Sequence, residues 1–131
     1  MRIRNYFLFL VFLGLLFLTG CSEKSNNLLI SQDNGVTATL TIEPSTPVSM
    51  ENTRFMITLM EGDQPVKGAD MILNLTMPGM KMPENKINAV EKEPGSYSNT
   101  TLLSMAGDWH LQADVTHNAK VYTFDFDFKA K

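Results

Sequence analysis

The chain has 131 residues, 44% hydrophobic and 19% charged, with a formal charge of −3. That is enough for one compact domain. With no basic cluster it is not built for nucleic acid, and its single cysteine excludes an internal disulfide, a cysteine-based zinc site and, once that thiol is modified, thiol catalysis.

The first residues address the chain. Arg2 and Arg4 precede Tyr6–Leu18, YFLFLVFLGLLFL, an apolar run shorter than the roughly 20 residues a spanning helix wants. A basic start followed by a short apolar run is the pattern of a secretory signal. The run ends Leu18-Thr19-Gly20-Cys21, which resembles the bacterial lipobox. Residues 1–20 are therefore expected to be a lipoprotein signal peptide. Cys21 would be lipidated and become the new N-terminus, its thiol forming the thioether to diacylglycerol. Buried acyl chains contribute about 0.8 kcal/mol per CH₂, so two or three of them (palmitate-like) hold a small domain on a membrane. The alternative is an uncleaved single-pass anchor. In both cases the domain faces outward, from the cell membrane or the outer membrane. Loss of Arg2 and Arg4 with the leader leaves −5. An acidic surface repels anionic lipid, so membrane contact should rest on the anchor.

Residues 21–33, the lipidated Cys21 followed by SEKSNNLLISQD, are polar and lack sustained periodicity, and read as a tether. Residues 34–131 then form the domain. Val36–Ile42 alternates apolar and polar, as a half-buried strand does. Phe55–Met60 follows a break at Pro44 and Pro47. Gln64–Gly68 is a turn cluster. Met71–Met77 is a third strand with Met71, Leu73, Leu75 and Met77 on one face. A short strand is expected at Ile87–Val90. Glu93–Ser96 is a turn leading into Tyr97–Leu103. Asp108–Val115 alternates cleanly, and so does the last run, with Tyr122, Phe124, Phe126 and Phe128 on one face. About seven short strands without a helical stripe predict an all-β chain, an antiparallel β-sandwich of immunoglobulin-like type. Trp109 and the phenylalanine row should be core, since charge on the opposite face is what a packed strand looks like.

Catalysis finds little support. There is no Gly-x-Ser-x-Gly elbow, no HExxH, no phosphate-cradling glycine loop and no EF-hand loop, so an enzyme is not expected. Asp125 and Asp127 stand two apart on one strand face and read as a solvated surface. The methionines are the unusual feature: nine in all, eight once Met1 leaves with the leader. A thioether is a soft, neutral donor suited to Cu(I) and poor for zinc, calcium or magnesium. Met77-Pro78-Gly79-Met80-Lys81-Met82-Pro83 holds three of them. Pro-Gly favours a tight turn that brings Met77 near Met80, and Met80 and Met82 share a side if Lys81 is extended. Two readings stand side by side. Met77, Met80 and Met82 are Cu(I) ligands, or the segment is a hydrophobic loop capping the sandwich, methionine being an adaptable gap-filler. Met56, Met60 and Met71 read as core or strand-surface residues. Met105, just before the Trp109 strand, and the two histidines are the remaining candidates. His110 should face away from the core, and His117 sits in a turn.

These residues also carry a family resemblance. Gly68-Ala69 before a strand, the MPGMKMP segment, Pro94-Gly95-x-Tyr97 and Met105-Ala106-Gly107-x-Trp109-x-Leu111 together resemble the YtkA-like domain of the FixH-related group, over roughly Val36 to Val115. The resemblance implies an immunoglobulin-like sandwich in a small secreted or membrane-anchored protein. It implies company with copper-handling, metal-efflux or oxidase-assembly proteins. The group's methionine motif falls on Met77, Met80 and Met82, and Met105 either joins it or packs. Pro94, Gly95, Tyr97, Gly107 and Trp109 fall on positions that look structural. The chain has a lipobox where FixH proteins have a long transmembrane anchor. The expectation is a membrane-anchored lipoprotein that binds or relays Cu(I). The competing expectation is a metal-free interaction module that meets a membrane protein through the methionine loop.

Overall fold

The computed structural model describes residues 28–131. The leader, Cys21 and most of the tether lie outside them. The described residues form nine strands and no helix: β1 (Leu29–Asp33), β2 (Val36–Glu43), β3 (Asn52–Glu61), β4 (Gln64–Pro65), β5 (Asp70–Thr76), β6 (Lys86–Glu93), β7 (Ser96–Leu102), β8 (Gly107–His117) and β9 (Lys120–Ala130). All pairings are antiparallel, in the order β1-β2-β3-β7-β6-β5-β8-β9, with β4 on β3. The result is the expected immunoglobulin-like sandwich, and all seven expected strands are present.

Period-two alternation builds the core directly, because successive side chains leave opposite faces of a strand. β2 turns in Val36, Ala38, Leu40 and Ile42, β3 turns in Phe55, Ile57 and Leu59, and β5 turns in Met71, Leu73 and Leu75. These meet Trp109, Leu111, Ala113 and Val115 of β8 and Tyr122, Phe124 and Phe126 of β9. Phe55 and Phe128 pack across the two layers with ring centroids 5.4 Å apart. β6 changes sheets midway: Lys86–Ala89 pairs with β5, Val90–Glu93 with β7, and a bulge lies between Glu91 and Glu93. On the far side the sheets nearly close. β1 lies beside β9, where the Asp33 carboxylate accepts the Thr123 N–H at 3.0 Å and the Ser31 hydroxyl accepts that of Asp125.

The tether reading of residues 21–33 is therefore too long. Leu29–Asp33 is a strand in full register with β2, Leu29 opposite Leu40 and Asp33 opposite Val36. Asn34 and Gly35 join them with φ of 46° and 84°, the conformation of a two-residue hairpin turn that Asn-Gly favours.

Strand polarity sorts the loops into two ends. The β2–β3, β5–β6 and β7–β8 loops gather at one end with the chain terminus. There Lys131 donates its N–H to Pro47, and Leu103 accepts the Met50 N–H. The turns following β1, β3, β4, β6 and β8 gather at the other.

Candidate functional site, the methionine end

The MPGMKMP segment leaves β5 as a tight turn. Gly79 has φ +79°, and the Met80 N–H donates to the Met77 carbonyl at 3.2 Å. Proline followed by a glycine of positive φ is the type II arrangement. The turn divides the three thioethers. Met77 continues the inward row of β5, is 7% exposed, and belongs to the core. Its methyl lies 2.9 Å from where a Cβ on Gly107 would stand, so glycine at 107 leaves room for it. Met80 projects into solvent at 52% exposure, and Met82 is half-buried against the core edge. Met77 is thus the packed root of the loop, Met80 its exposed thioether and Met82 a half-buried one.

Met105 comes from the neighbouring loop. The Trp109 indole, itself buried, donates its Nε1–H to the Met105 carbonyl at 3.0 Å. The backbone is thereby fixed while the side chain stays 37% exposed. The β7–β8 loop ends at Gly107 under the Met77 methyl, so Met105 and the β5–β6 loop share one end. The strand methionines do not join them. Met71 is core, and Met56 and Met60 lie half-buried on the outer face of β3.

The histidines are placed otherwise. His110 faces outward from β8, as expected, but is held there by β9. Its Nδ1 is 2.7 Å from Asp127 Oδ1 and its Nε2 is 3.1 Å from Asp125 Oδ1. The Asp127 hydrogen bond raises its pKa above the usual 6.5, against partial desolvation, and Asp125 adds to the rise. A carboxylate on each ring nitrogen favours the protonated imidazole and occupies both of the nitrogens a metal would need. Asp125 and Asp127 are thus partners of a histidine rather than a bare solvated face. His117 ends β8, half-buried, with its Nε2 against the Asn118 amide. It is a whole strand away from the methionines. Among the described residues, no group of three or more His, Cys, Asp or Glu is placed to hold a metal ion. What this end offers chemically is thioether sulfur on rigid turns.

One methionine at this end escaped the sequence reading. Met50, in the β2–β3 loop, is 67% exposed and sits at this same end. No motif flags it: the residue stands alone after Pro44 and Pro47, and only tertiary pairing of Met50 with Leu103 brings it near Met105.

Comparison with known proteins supports this frame. No curated protein matches the chain. The fold is similar to the crystal structure of the PmoD soluble domain from Methylocystis sp. ATCC 49242 (Rockwell), with a TM-score of 0.55 over 78% of this chain and 97% of that one. Sequence identity is 10%, so the likeness speaks for the fold. The family model described as YtkA-like matches residues 30–114, from β1 into β8, and takes in Met50, both methionine-bearing loops and Trp109. The chain belongs to the YtkA-like family.

Proposed function

We propose that this domain binds Cu(I) at its methionine end and passes it to a partner at a membrane. The observation that carries the reading is the exposure of Met80 and Met105, with Met82 half-buried beside Met80, on loops held by the Met80–Met77 backbone hydrogen bond and by the Trp109 indole. Thioethers prefer Cu(I) to harder divalent ions, and three of them, or two with one further donor, satisfy it. Being neutral, they bind without releasing protons. Surface placement suits exchange with a partner rather than permanent storage. Met77 serves as the packed root of the loop. Lipidation at Cys21 would keep the domain outside the cytoplasm. The segment before Leu29 leaves β1 opposite Leu40, three residues from the methionine-end terminus of β2, which favours presenting that end to the membrane. A copper transporter or an oxidase under assembly is the class of acceptor that fits.

A second reading has its own support. Among the described residues, six of the ten exposed large hydrophobics (Leu28, Val48, Met50, Met80, Leu102 and Met105) lie at this end. Methionine-rich surfaces adapt to protein partners, so the end would also serve as a metal-free contact.

Anaerobic titration of the detergent-solubilised chain against a chromogenic Cu(I) competitor separates the two. The copper reading predicts Cu(I) binding with no Zn(II) binding, and its loss in a Met80/Met82/Met105→Leu variant that unfolds at the native denaturant concentration. A native chain that takes no Cu(I) from the competitor leaves only the contact reading.

A further inference from the structure

Met50 has a backbone that its side chain does not favour. Its φ is +64°, a region uncommon for residues other than glycine, asparagine and aspartate. Such strain persists only where surrounding structure imposes it, and it gathers at functional sites. Here four backbone hydrogen bonds impose it. Met50 N–H donates to Leu103 at 2.8 Å, Glu51 to Val48 at 3.2 Å, Ser49 to Lys131 at 2.7 Å and Lys131 to Pro47 at 2.8 Å. The loop is thus fastened to β9 and to the β7–β8 loop, yet it leaves a thioether two-thirds in solvent with no place in the core.

The fastening point sets its neighbours. Leu103, which accepts the Met50 N–H, is two residues before Met105, and Gly107, beneath the Met77 methyl, is two residues after it. Two residues of chain span at most roughly 7 Å, and the chain bends at Met105 and Ala106. Unbranched methionine side chains with three rotatable bonds can close such gaps. Met105 therefore stands between Met50 on one side and the root of the MPGMKMP turn on the other.

We infer that Met50 is a further Cu(I) ligand, so that the donor set comes from three loops with Met105 at its centre. The inference rests on the copper reading above and adds a residue to it. It also gives the strain a role: the positive φ belongs to a loop that stays clamped while the Met50 side chain is left in solvent.

The test labels the methionine methyls with ¹³C in the full-length chain in detergent and adds Ag(I), a redox-inert stand-in for Cu(I). Single Met→Leu substitutions assign the signals. The methyls of Met50, Met80, Met82 and Met105 are expected to shift, with those of Met56, Met60 and Met71 fixed. A Met50→Gly variant, which relieves the backbone strain, should lose about tenfold in Cu(I) affinity while its denaturation midpoint holds or rises. If the Met80 and Met82 methyls move and Met50 does not, the added ligand is overturned and the copper reading stands. If no methyl moves, both fall. Unchanged Cu(I) affinity in Met50→Gly likewise overturns the added ligand.

Discussion

The two ends of the sandwich use one turn chemistry for opposite purposes. Each has a Pro-Gly turn, Pro78-Gly79 at one and Pro94-Gly95 at the other, with φ of +79° and +77° at the glycines. A Cβ on Gly79 would meet nothing within 4 Å. One on Gly95 would lie 2.7 Å from Pro65 Cβ and 3.1 Å from the Leu59 carbonyl. Around Gly95 the end is closed. The Glu91 carboxylate accepts from the Gly68 and Gly95 N–H groups at 3.0 Å each, and the buried Tyr97 hydroxyl donates to Val66 and accepts from Ala69. Burial pushes the Tyr97 pKa up and keeps that hydroxyl protonated. Around Gly79 the end is open, and it shows the Met80 thioether to solvent beside Lys81 and the Glu84–Lys86 ion pair. The difference lies in what does the bracing. The Gly95 end is tied by the side chains of Glu91 and Tyr97, whereas the methionine end is fastened through backbone hydrogen bonds, which leaves its side chains free.

Glycine substitution breaks that comparison most sharply. Gly95→Ala combines a forced contact with an unfavourable φ and should cost about 3 kcal/mol. Gly79→Ala meets only the φ penalty, about 1 kcal/mol. Urea unfolding of both variants measures the gap, and equal losses would mean the ends are not different in kind.

Next in size is Tyr97→Phe. It leaves the Val66 carbonyl and the Ala69 N–H without their partner and should cost about 2 kcal/mol, with Cu(I) affinity unchanged. Its counterpart, Met77→Leu, conserves volume and should cost under about 1.5 kcal/mol. It too should leave Cu(I) affinity near native, because Met77 is the packed root of its loop. A collapse of affinity in Met77→Leu would move the site inward.

The smallest expected effects are those of pH. The Gly95 N–H, with that of Gly68, holds the Glu91 carboxyl below its ordinary 4.5. Its contribution to stability is complete above about 4.5 and fades as pH falls through the lowered folded value. His110 runs the other way. Asp127 and Asp125 raise its folded pKa above 6.5, so its contribution is complete below about 6.5 and fades as pH rises through the raised value. Denaturation midpoints against pH should lose the acid limb in Glu91→Gln and the alkaline limb in His110→Gln. Cu(I) affinity should follow neither limb between about pH 5 and 7, since thioethers have no proton to lose. A fall in affinity on acidification would point to an imidazole ligand instead.

The fold was legible because alternation is a local signal: Val36–Ile42, Met71–Met77, Asp108–Val115 and the aromatic run of β9 each carry their own inward row. β1 was missed because SEKSNNLLISQD reads as a polar run, although Asn34-Gly35 marks the hairpin that pairs Leu29–Asp33 with β2. The site was half legible. MPGMKMP announces a turn, but burial splits it, placing Met77 in the core and Met80 in solvent. Met50 was invisible because its relation to Met105 depends on a hydrogen bond across 53 residues, from Met50 to Leu103. The clasp of His110 by Asp125 and Asp127 needed the β8–β9 register, with His110 opposite Asp127.

The central claim is that the open end binds Cu(I) through sulfur. X-ray absorption at the copper edge, on the native chain loaded anaerobically, tests it most directly. The account predicts Cu(I) with a first shell of sulfur, lost in the Met80/Met82/Met105→Leu variant. A shell of nitrogen and oxygen, or one unchanged in that variant, would contradict it.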